Sequence, residues 1–384
     1  MGNEESRLDL IEKLYICRLN SKYPIMDGFK NLEINNFRGI EHLTVDDLSR
    51  VNVFLGQNSS GKSSVLESLL LLMGMSNPDL PQSINYIRSR GYSSFADLGY
   101  MFHNGNLKVS PEFSSEMFDG SKRHLALEMT YTFDEKAQVD LPQGHIPTSE
   151  TKTFLNTLKM LFEIEANQKK SNYESSVTFN QMNQVTGKKI AEEYLEKNTV
   201  AFLPADIALG VPTNDLVELA KRKKKEVITK YLSNFDSHIT TWEILNNVAY
   251  IGLDGIDQLM MVNMMGDGMR RYLNIVAASA NPMNNIILID EIDNGLHYSA
   301  YKKLWEAIFA LATDTNKQVF VTTHSKETLY RLNEMLEEHS EYQDALRLYT
   351  IENTKLKGLQ AYKYTYEGLA EACNNDIEIR SVVL

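Results

Sequence analysis

The sequence predicts an α/β fold with a mixed central sheet, an antiparallel β subdomain and an inserted helical subdomain. Three observations carry that expectation. The apolar run Val51 to Leu55 leads directly into a Gly/Ser-rich loop and a helix-patterned stretch from Gly61 to Met73, a strand, loop, helix unit. Two further short apolar runs, Ile286 to Ile289 and Val319 to Thr322, end in polar groups, as strands buried on both faces do. The segments Leu125 to Phe133, Leu158 to Ile164 and Tyr173 to Phe179 instead alternate apolar with polar residues, which suits antiparallel strands with one solvated face.

Composition sets the outer limits. The 384 residues are 43% hydrophobic and 23% charged, enough for a substantial core and incompatible with a disordered chain. A net charge of -12 repels nucleic acid and anionic membrane at long range, so any contact with DNA has to be local. Cys17 and Cys373 belong to no CxxC or Cys/His cluster, so neither a disulfide framework nor a zinc site is expected, and a reducing cytoplasm fits. No apolar run approaches the length of a membrane helix and the first residues lack the regions of a signal peptide, which predicts a cytoplasmic protein with no membrane contact.

Taken in order, Leu10, Ile11, Leu14 and Ile16 predict a helical appendage over residues 1–28, ending at Pro24 and Gly28. A single domain is expected over 29–384, with approximately 138–250 as an inserted β and helical lobe. The strand Leu32 to Phe37 precedes the strand, loop, helix unit. Residues 76–121 are rich in Ser, Asn, Gly and Pro yet hold Tyr92, Phe95, Tyr100 and Phe102, and read as packed loops. Val200 to Leu203, ended by Pro204, reads as a buried strand returning to the main core; 213–250 read as helices, and Ile256 to Met264 as a strand before a helix from Gly268. Leu346 to Ile351 and Ala361 to Tyr366 then complete the sheet, followed by a short helix from Gly368. The basic run Lys221, Arg222, Lys223, Lys224 and Lys225 reads first as a solvated helix face and second as a contact to a nucleic-acid backbone.

Chemistry concentrates at four places. Gly56-Gln57-Asn58-Ser59-Ser60-Gly61-Lys62-Ser63 fits the phosphate-loop pattern G-x-x-x-x-G-K-[ST], and it follows an apolar strand and opens a helix, as the pattern requires. Its glycines let consecutive N–H groups turn inward around a β-phosphate, the helix N-terminus adds positive potential, Lys62 bridges β- and γ-phosphates and the Ser63 hydroxyl holds Mg²⁺. The candidate nucleotide-binding set is Gly56, Asn58, Ser59, Ser60, Gly61, Lys62, Ser63 and Ser64, with Arg38. The run Ile286 to Glu291 delivers two adjacent carboxylates, Asp290 for the metal and Glu291 to take a proton from attacking water. His324, at the end of the next buried strand, is placed to hydrogen-bond a γ-phosphate or hold that water. Gly266-Asp267-Gly268 opens a helix packed through Met269, Leu273, Val276 and Ala277, and glycines at a helix N-terminus permit close approach of backbone to an anion.

These four elements in this order resemble the ABC-type P-loop ATPases, over residues 30–350. The resemblance implies that Gly266, Asp267 and Gly268 form a signature motif reaching the γ-phosphate held by a second subunit, so that two nucleotides lie between two head-to-tail monomers and a homodimer is the minimum assembly. Transporter subunits place the signature much closer to the phosphate loop than Gly266 stands from Gly61, and this chain lacks the heptads of the coiled-coil repair proteins. Ile34 to Ile40, Ile292 to His297 and Thr322-Thr323-His324-Ser325 are most similar to the overcoming-lysogenization-defect (OLD) ATPases, with Asp293, Gly295 and His297 matching the D-loop that crosses to the partner subunit.

Two departures stand out. Met265 occupies a position where many relatives have Ser, and Asp267 beside a phosphate needs neutralising by Arg270 or Arg271. No glutamine is assigned to the Q-loop. Full OLD nucleases append a Toprim nuclease domain, for which the residues after His324 leave no room. The resemblance therefore implies a Mg²⁺-dependent ATPase that gates a separate effector, a toxin or nuclease encoded nearby, in bacterial anti-phage defence. An ATP-ordered scaffold with slow or incidental hydrolysis and a RecF-like DNA repair ATPase are the alternatives.

Overall fold

A computed structural model describes residues 28–89, 94–134, 153–180, 182–206, 213–354 and 357–381; the expected N-terminal helix lies outside them. β1 (Leu32–Phe37) and β2 (Ile40–Val45) make an antiparallel hairpin, and β3 (Val51–Leu55) runs through the phosphate-loop sequence into α1 (Lys62–Met73). α2 (Leu80–Ser89) stands in the stretch expected as loops. Leu80, Ile84 and Ile87 recur at helical spacing and Pro81 occupies the first turn, where its missing N–H costs nothing, so the Ser and Asn content conceals a helix.

β4 (Glu112–Glu116), β5 (Lys122–Asp134), β6 (Thr153–Ala166), β7 (Lys169–Phe179) and β8 (Val185–Lys189) extend the first hairpin into a seven-stranded antiparallel sheet of order β2-β1-β4-β5-β6-β7-β8. Leu125, Leu127, Leu158, Met160, Phe162, Val177 and Phe179 face one core at the period of 2 seen in the sequence. β9 (Val200–Leu203) then returns to the central sheet, so the described residues of the stretch 138–250 divide among the antiparallel sheet, the central sheet and the helices and hairpin that follow.

α3 (Thr213–Lys221) and α4 (Lys225–Phe235) are helices, but the helical expectation fails beyond them: β10 (Ile239–Leu245) and β11 (Val248–Leu253) form a hairpin. Its turn residues Asn246 and Asn247 have φ of 50° and 60°, the positive values a two-residue hairpin turn demands and asparagine tolerates. The strand expected over 256–264 shrinks to β12 (Met260–Met261) and a 3₁₀ turn at Val262–Met264.

α5 (Asp267–Ala280), β13 (Ile286–Ile289), α6 (Tyr301–Asp314), β14 (Gln318–Thr322), α7 (Lys326–Glu338), β15 (Leu346–Thr354), β16 (Gly358–Tyr364) and α8 (Tyr366–Asn374) follow. The central sheet has the order β16-β15-β3-β14-β13-β9; all neighbours are parallel except β16, which is antiparallel to β15. Phe54, Ile286, Leu288 and Phe320 pack toward α1 and the antiparallel sheet, while Val51, Val53, Ile287, Ile289, Val319 and Val321 pack toward α5, α6 and α7. Wedged between two sheets, α1 is buried at every position from Ser64 to Met73, which is why its sequence is apolar without a stripe. The phosphate loop and the ends of β13 and β14 meet at the C-terminal edge of the parallel strands, where open α/β sheets bind ligands.

Candidate active site

The loop between β3 and α1 closes tightly on itself. Gly56 has φ +148°, and a Cβ there would stand 2.5 Å from Ser60 Oγ and 2.7 Å from the Ile351 carbonyl, so only glycine fits. Gly61 caps α1 without a side-chain hydrogen bond, which leaves the first-turn N–H groups facing outward for an anion. Ser60 Oγ is buried with no protein partner, the kind of orphaned polar atom that a ligand or water satisfies. Lys62 folds back, its Nζ donating to the carbonyls of Gly56 at 2.9 Å and Gln57 at 2.7 Å. Burial lowers its pKa, and Asp290, Glu291 and Asp293 act against that shift.

The two carboxylates of the Asp290-Glu291 pair are held differently. Asp290 Oδ1 accepts from Ser63 Oγ at 3.0 Å and from Thr322 Oγ1 at 2.6 Å. The Thr322 hydroxyl in turn accepts the Glu291 N–H at 2.8 Å, and Glu291 has φ +49°. Thr323 Oγ1 donates to Asp293, and Ser325 Oγ caps α7 by accepting from Thr328 N–H at 3.2 Å. An open cavity of about 1020 Å³ lies over residues 58–64, with Glu291 and the exposed His324 on its wall.

The same cavity is lined by residues for which the sequence suggested no role at the site: Arg88, Tyr100, Phe102, Asn104 and Gly105. Their signal was the aromatic cluster inside a polar stretch. Arg38 also reaches this wall, but its guanidinium is committed, Nε to Glu67 at 2.7 Å and Nη2 to Asn85 at 2.9 Å, while Arg88 bonds the other oxygen of Glu67. Gln82 lies on α2, and among the described residues no glutamine lines the cavity.

The stretches expected to serve as signature and D-loop lie beside each other and off this cavity. Gly266 caps α5, and a Cβ there would meet nothing within 4 Å, whereas a Cβ on Gly268 would stand 3.0 Å from the Gly295 carbonyl. Arg270 bonds Asp267, the neutralisation that an acid at this position requires, and Arg271 turns inward instead. Asp293 accepts from Thr323 of its own chain, and His297 Nδ1 lies 2.9 Å from Ser299 Oγ on the surface. In the basic run, Lys221 and Arg222 pair with Glu218 and Lys225 with Glu243, leaving Lys223 and Lys224 exposed at the turn between α3 and α4.

The donor set suits Mg²⁺. Ser63 and Asp290 supply hard oxygens, and among the described residues no group of three or more His, Cys, Asp or Glu side chains is gathered to hold a metal alone.

A phosphate loop at the C-terminal edge of a parallel sheet, facing a carboxylate pair at the end of the strand two places along, defines a P-loop nucleotide hydrolase. The chain belongs to the AAA ATPase domain family, whose model matches residues 29–249 and 99–329, and it is an ATPase. It is 25% identical over 333 residues to the ATP/GTP phosphatase of Helicobacter pylori, covering 80% of this chain and 88% of that protein. Over a shorter stretch of 43 residues it is 44% identical to the DNA replication and repair protein RecF of Lactococcus lactis subsp. cremoris, covering 11% of this chain and 12% of that protein. Among solved structures it is similar to the SMC head bound to the C-winged helix domain of ScpA, with a TM-score of 0.48 and 11% identity over 88% of this chain and 99% of that one. The SMC head domain from Thermotoga maritima gives a TM-score of 0.39 and 11% identity, over 88% of this chain and 98% of that one. No helix among the described residues is long and apolar enough to cross a membrane.

Proposed function

We propose that the chain hydrolyses ATP or GTP in the cytoplasm, with Mg²⁺ held between Ser63 and Asp290 and with Glu291 as general base. The 3.0 Å separation of Ser63 Oγ and Asp290 Oδ1 supports this most directly. Ser63 Oγ donates to Asp290 Oδ1 across that distance, so the phosphate loop and the end of β13 bring together two hard oxygens that would hold the cation. The Helicobacter pylori relative, named an ATP/GTP phosphatase, supports leaving the base open between adenine and guanine.

Bound Mg²⁺ supplies positive charge to the β- and γ-phosphate oxygens. In this reading the backbone N–H groups of the loop and of the first turn of α1 hold the phosphates, and Lys62 exchanges its two neutral carbonyl acceptors for anionic phosphate oxygens, so that a charged donor meets charged acceptors. Water attacks the γ-phosphorus in line, the bond to the bridging oxygen breaks with its electron pair leaving on the diphosphate, and a proton passes from the water to the Glu291 carboxylate. His324 hydrogen-bonds a γ-phosphate oxygen or the water from the rim.

Two chains pair head to tail, and Gly266, Asp267 and Gly268 of one meet the γ-phosphate of the other; the open surface at Gly266 and the pairing of Asp267 with Arg270 support that arrangement. Asp293, Gly295 and His297 then lie along the same interface. The finer role, gating a separate toxin or nuclease in anti-phage defence, rests on the resemblance of Ile34 to Ile40, Ile292 to His297 and Thr322 to Ser325 to OLD-type ATPases. A DNA repair role is the second reading, favoured by the short likeness to RecF. The test is direct binding: Lys62→Ala should weaken ATP affinity by about 10²-fold or more in calorimetry, because the cation facing the β- and γ-phosphates is removed. Undiminished affinity would remove the phosphate-loop assignment.

A further inference from the structure

Helix α5 carries Gly266 to Gly268 at its N-terminus and, one turn further in, an arginine aimed at the end of β13. Arg271 is 2% exposed. Its Nη1 donates to the Pro204 carbonyl at 2.7 Å, and its Nη2 to the carbonyls of Asp290 at 2.5 Å and Glu291 at 3.2 Å. One guanidinium thus ties the segments that follow β9 and β13 to the signature helix. The helix meets the same loop a second time where Gly268 abuts the Gly295 carbonyl.

Glu291 is where this matters. Its φ of +49° is left-handed, a backbone that strains a residue with a Cβ and persists only when its surroundings hold it. Its N–H is held by Thr322 Oγ1 at 2.8 Å, and its carbonyl accepts from Asn294 N at 3.0 Å and from Arg271. Only the last of these holders lies on another helix, and Arg271 itself is not on the cavity wall. The planar fork of arginine reaches carbonyls on two chain segments at once, which the single ammonium of lysine does poorly.

We propose that Arg271 is a positioning residue for hydrolysis: it holds Glu291 in the left-handed conformation that turns its carboxylate to the cavity, and so makes the aim of that carboxylate depend on where α5 sits. The inference rests on the reading of Glu291 as general base. A displacement of the α5 N-terminus by a phosphate passes to Glu291 through this guanidinium, without any contact between the two in the cavity.

Arg271→Lys, Glu291→Gln and the double variant, compared by calorimetric nucleotide affinity and single-turnover phosphate release, test it. Arg271→Lys should keep nucleotide affinity within about twofold and lower the hydrolysis rate roughly tenfold, and it should cause no further loss in the Glu291→Gln background, because its effect runs through that carboxylate. Wild-type hydrolysis by folded Arg271→Lys overturns the proposal, as does the same roughly tenfold loss in both backgrounds, the signature of a merely structural role. Should the lysine variant fail to fold by thermal melting, Arg271→Gln, with a planar amide of two donors, carries the same expectations and the same contrary outcomes. Wild-type hydrolysis by Glu291→Gln alone marks instead the failure of the general-base reading on which the inference rests.

Discussion

Glu67 carries two guanidiniums on one buried carboxylate, Arg38 on one oxygen and Arg88 on the other. Arg38 is itself largely buried, and desolvation lowers its pKa against the pull of Glu67. Breaking a buried pair by removing one partner costs about 3–5 kcal/mol, whereas a half-exposed arginine at the rim contributes about 1 kcal/mol or less. Glu67→Ala should therefore destabilise the protein by the larger amount and Arg88→Ala by the smaller, in denaturant unfolding followed by circular dichroism. Equal losses in the two variants would mean that the pair with Arg38 is not the buried anchor. At this scale the motif residues were legible because phosphate chemistry dictates their types and spacing: Lys62, Ser63, Asp290 and Glu291 converge. Glu67, Thr322 and Arg271 were not, because a buried carboxylate, a hydroxyl ending an apolar strand and an arginine on an amphipathic helix each have many uses in a sequence and acquire one only in three dimensions.

β14 and α5 are joined at their far ends by a buried lysine. Lys317 Nζ donates to the carbonyls of Ser279 and Asn281 at 2.5 Å each, a cation placed on the C-terminus of α5, where the helix dipole favours it. Asp215 of α3, which accepts from Asn281 and Asn284, is the nearby opposing charge. Burial nevertheless pushes the Lys317 pKa down to about 7 from 10.5. Between those values the unfolded chain binds more protons than the folded one, so this lysine makes stability rise with pH across the window, with its full penalty felt below pH of about 7. Unfolding free energies at about pH 7 and about pH 9.5 should rise less, or fall more, in Lys317→Met than in wild type. Parallel behaviour of the two would show that Lys317 is solvated in the folded state.

Among elements, the buried strands and the long antiparallel strands were readable from period and apolarity. The hairpin of β10 and β11 was not, because its strands sit between helices and its turn is the unusual pair Asn246-Asn247. Helix α2 was hidden by polar composition, although that composition reflects one face turned to solvent.

At the scale of the whole molecule, the cavity over the phosphate loop is framed by residues of one chain, while Gly266 to Gly268 lie outside it. If two chains complete each other's sites, Lys62→Ala and Gly266→Arg should each be inactive alone and should recover part of the phosphate release when mixed, with a maximum near equal proportions. Gly266 suits this test because its Cβ would meet open space, whereas a side chain at Gly268 would strike the Gly295 carbonyl of its own chain and disturb the loop at 293–297 directly. Full activity in a verified monomer contradicts the head-to-tail pairing.

The central claim is that the end of β13 performs the chemistry beside the phosphate loop, and Glu291→Gln tests it most directly, with ATP affinity and Mg²⁺-dependent phosphate release measured on the same preparation. The amide preserves size and leaves Ser63, Asp290 and Thr322 bonded as they are. Affinity close to wild type with turnover reduced by about 10²-fold or more is the expected result, since only the proton acceptor is lost. Turnover at the wild-type rate, with affinity unchanged, would contradict the account.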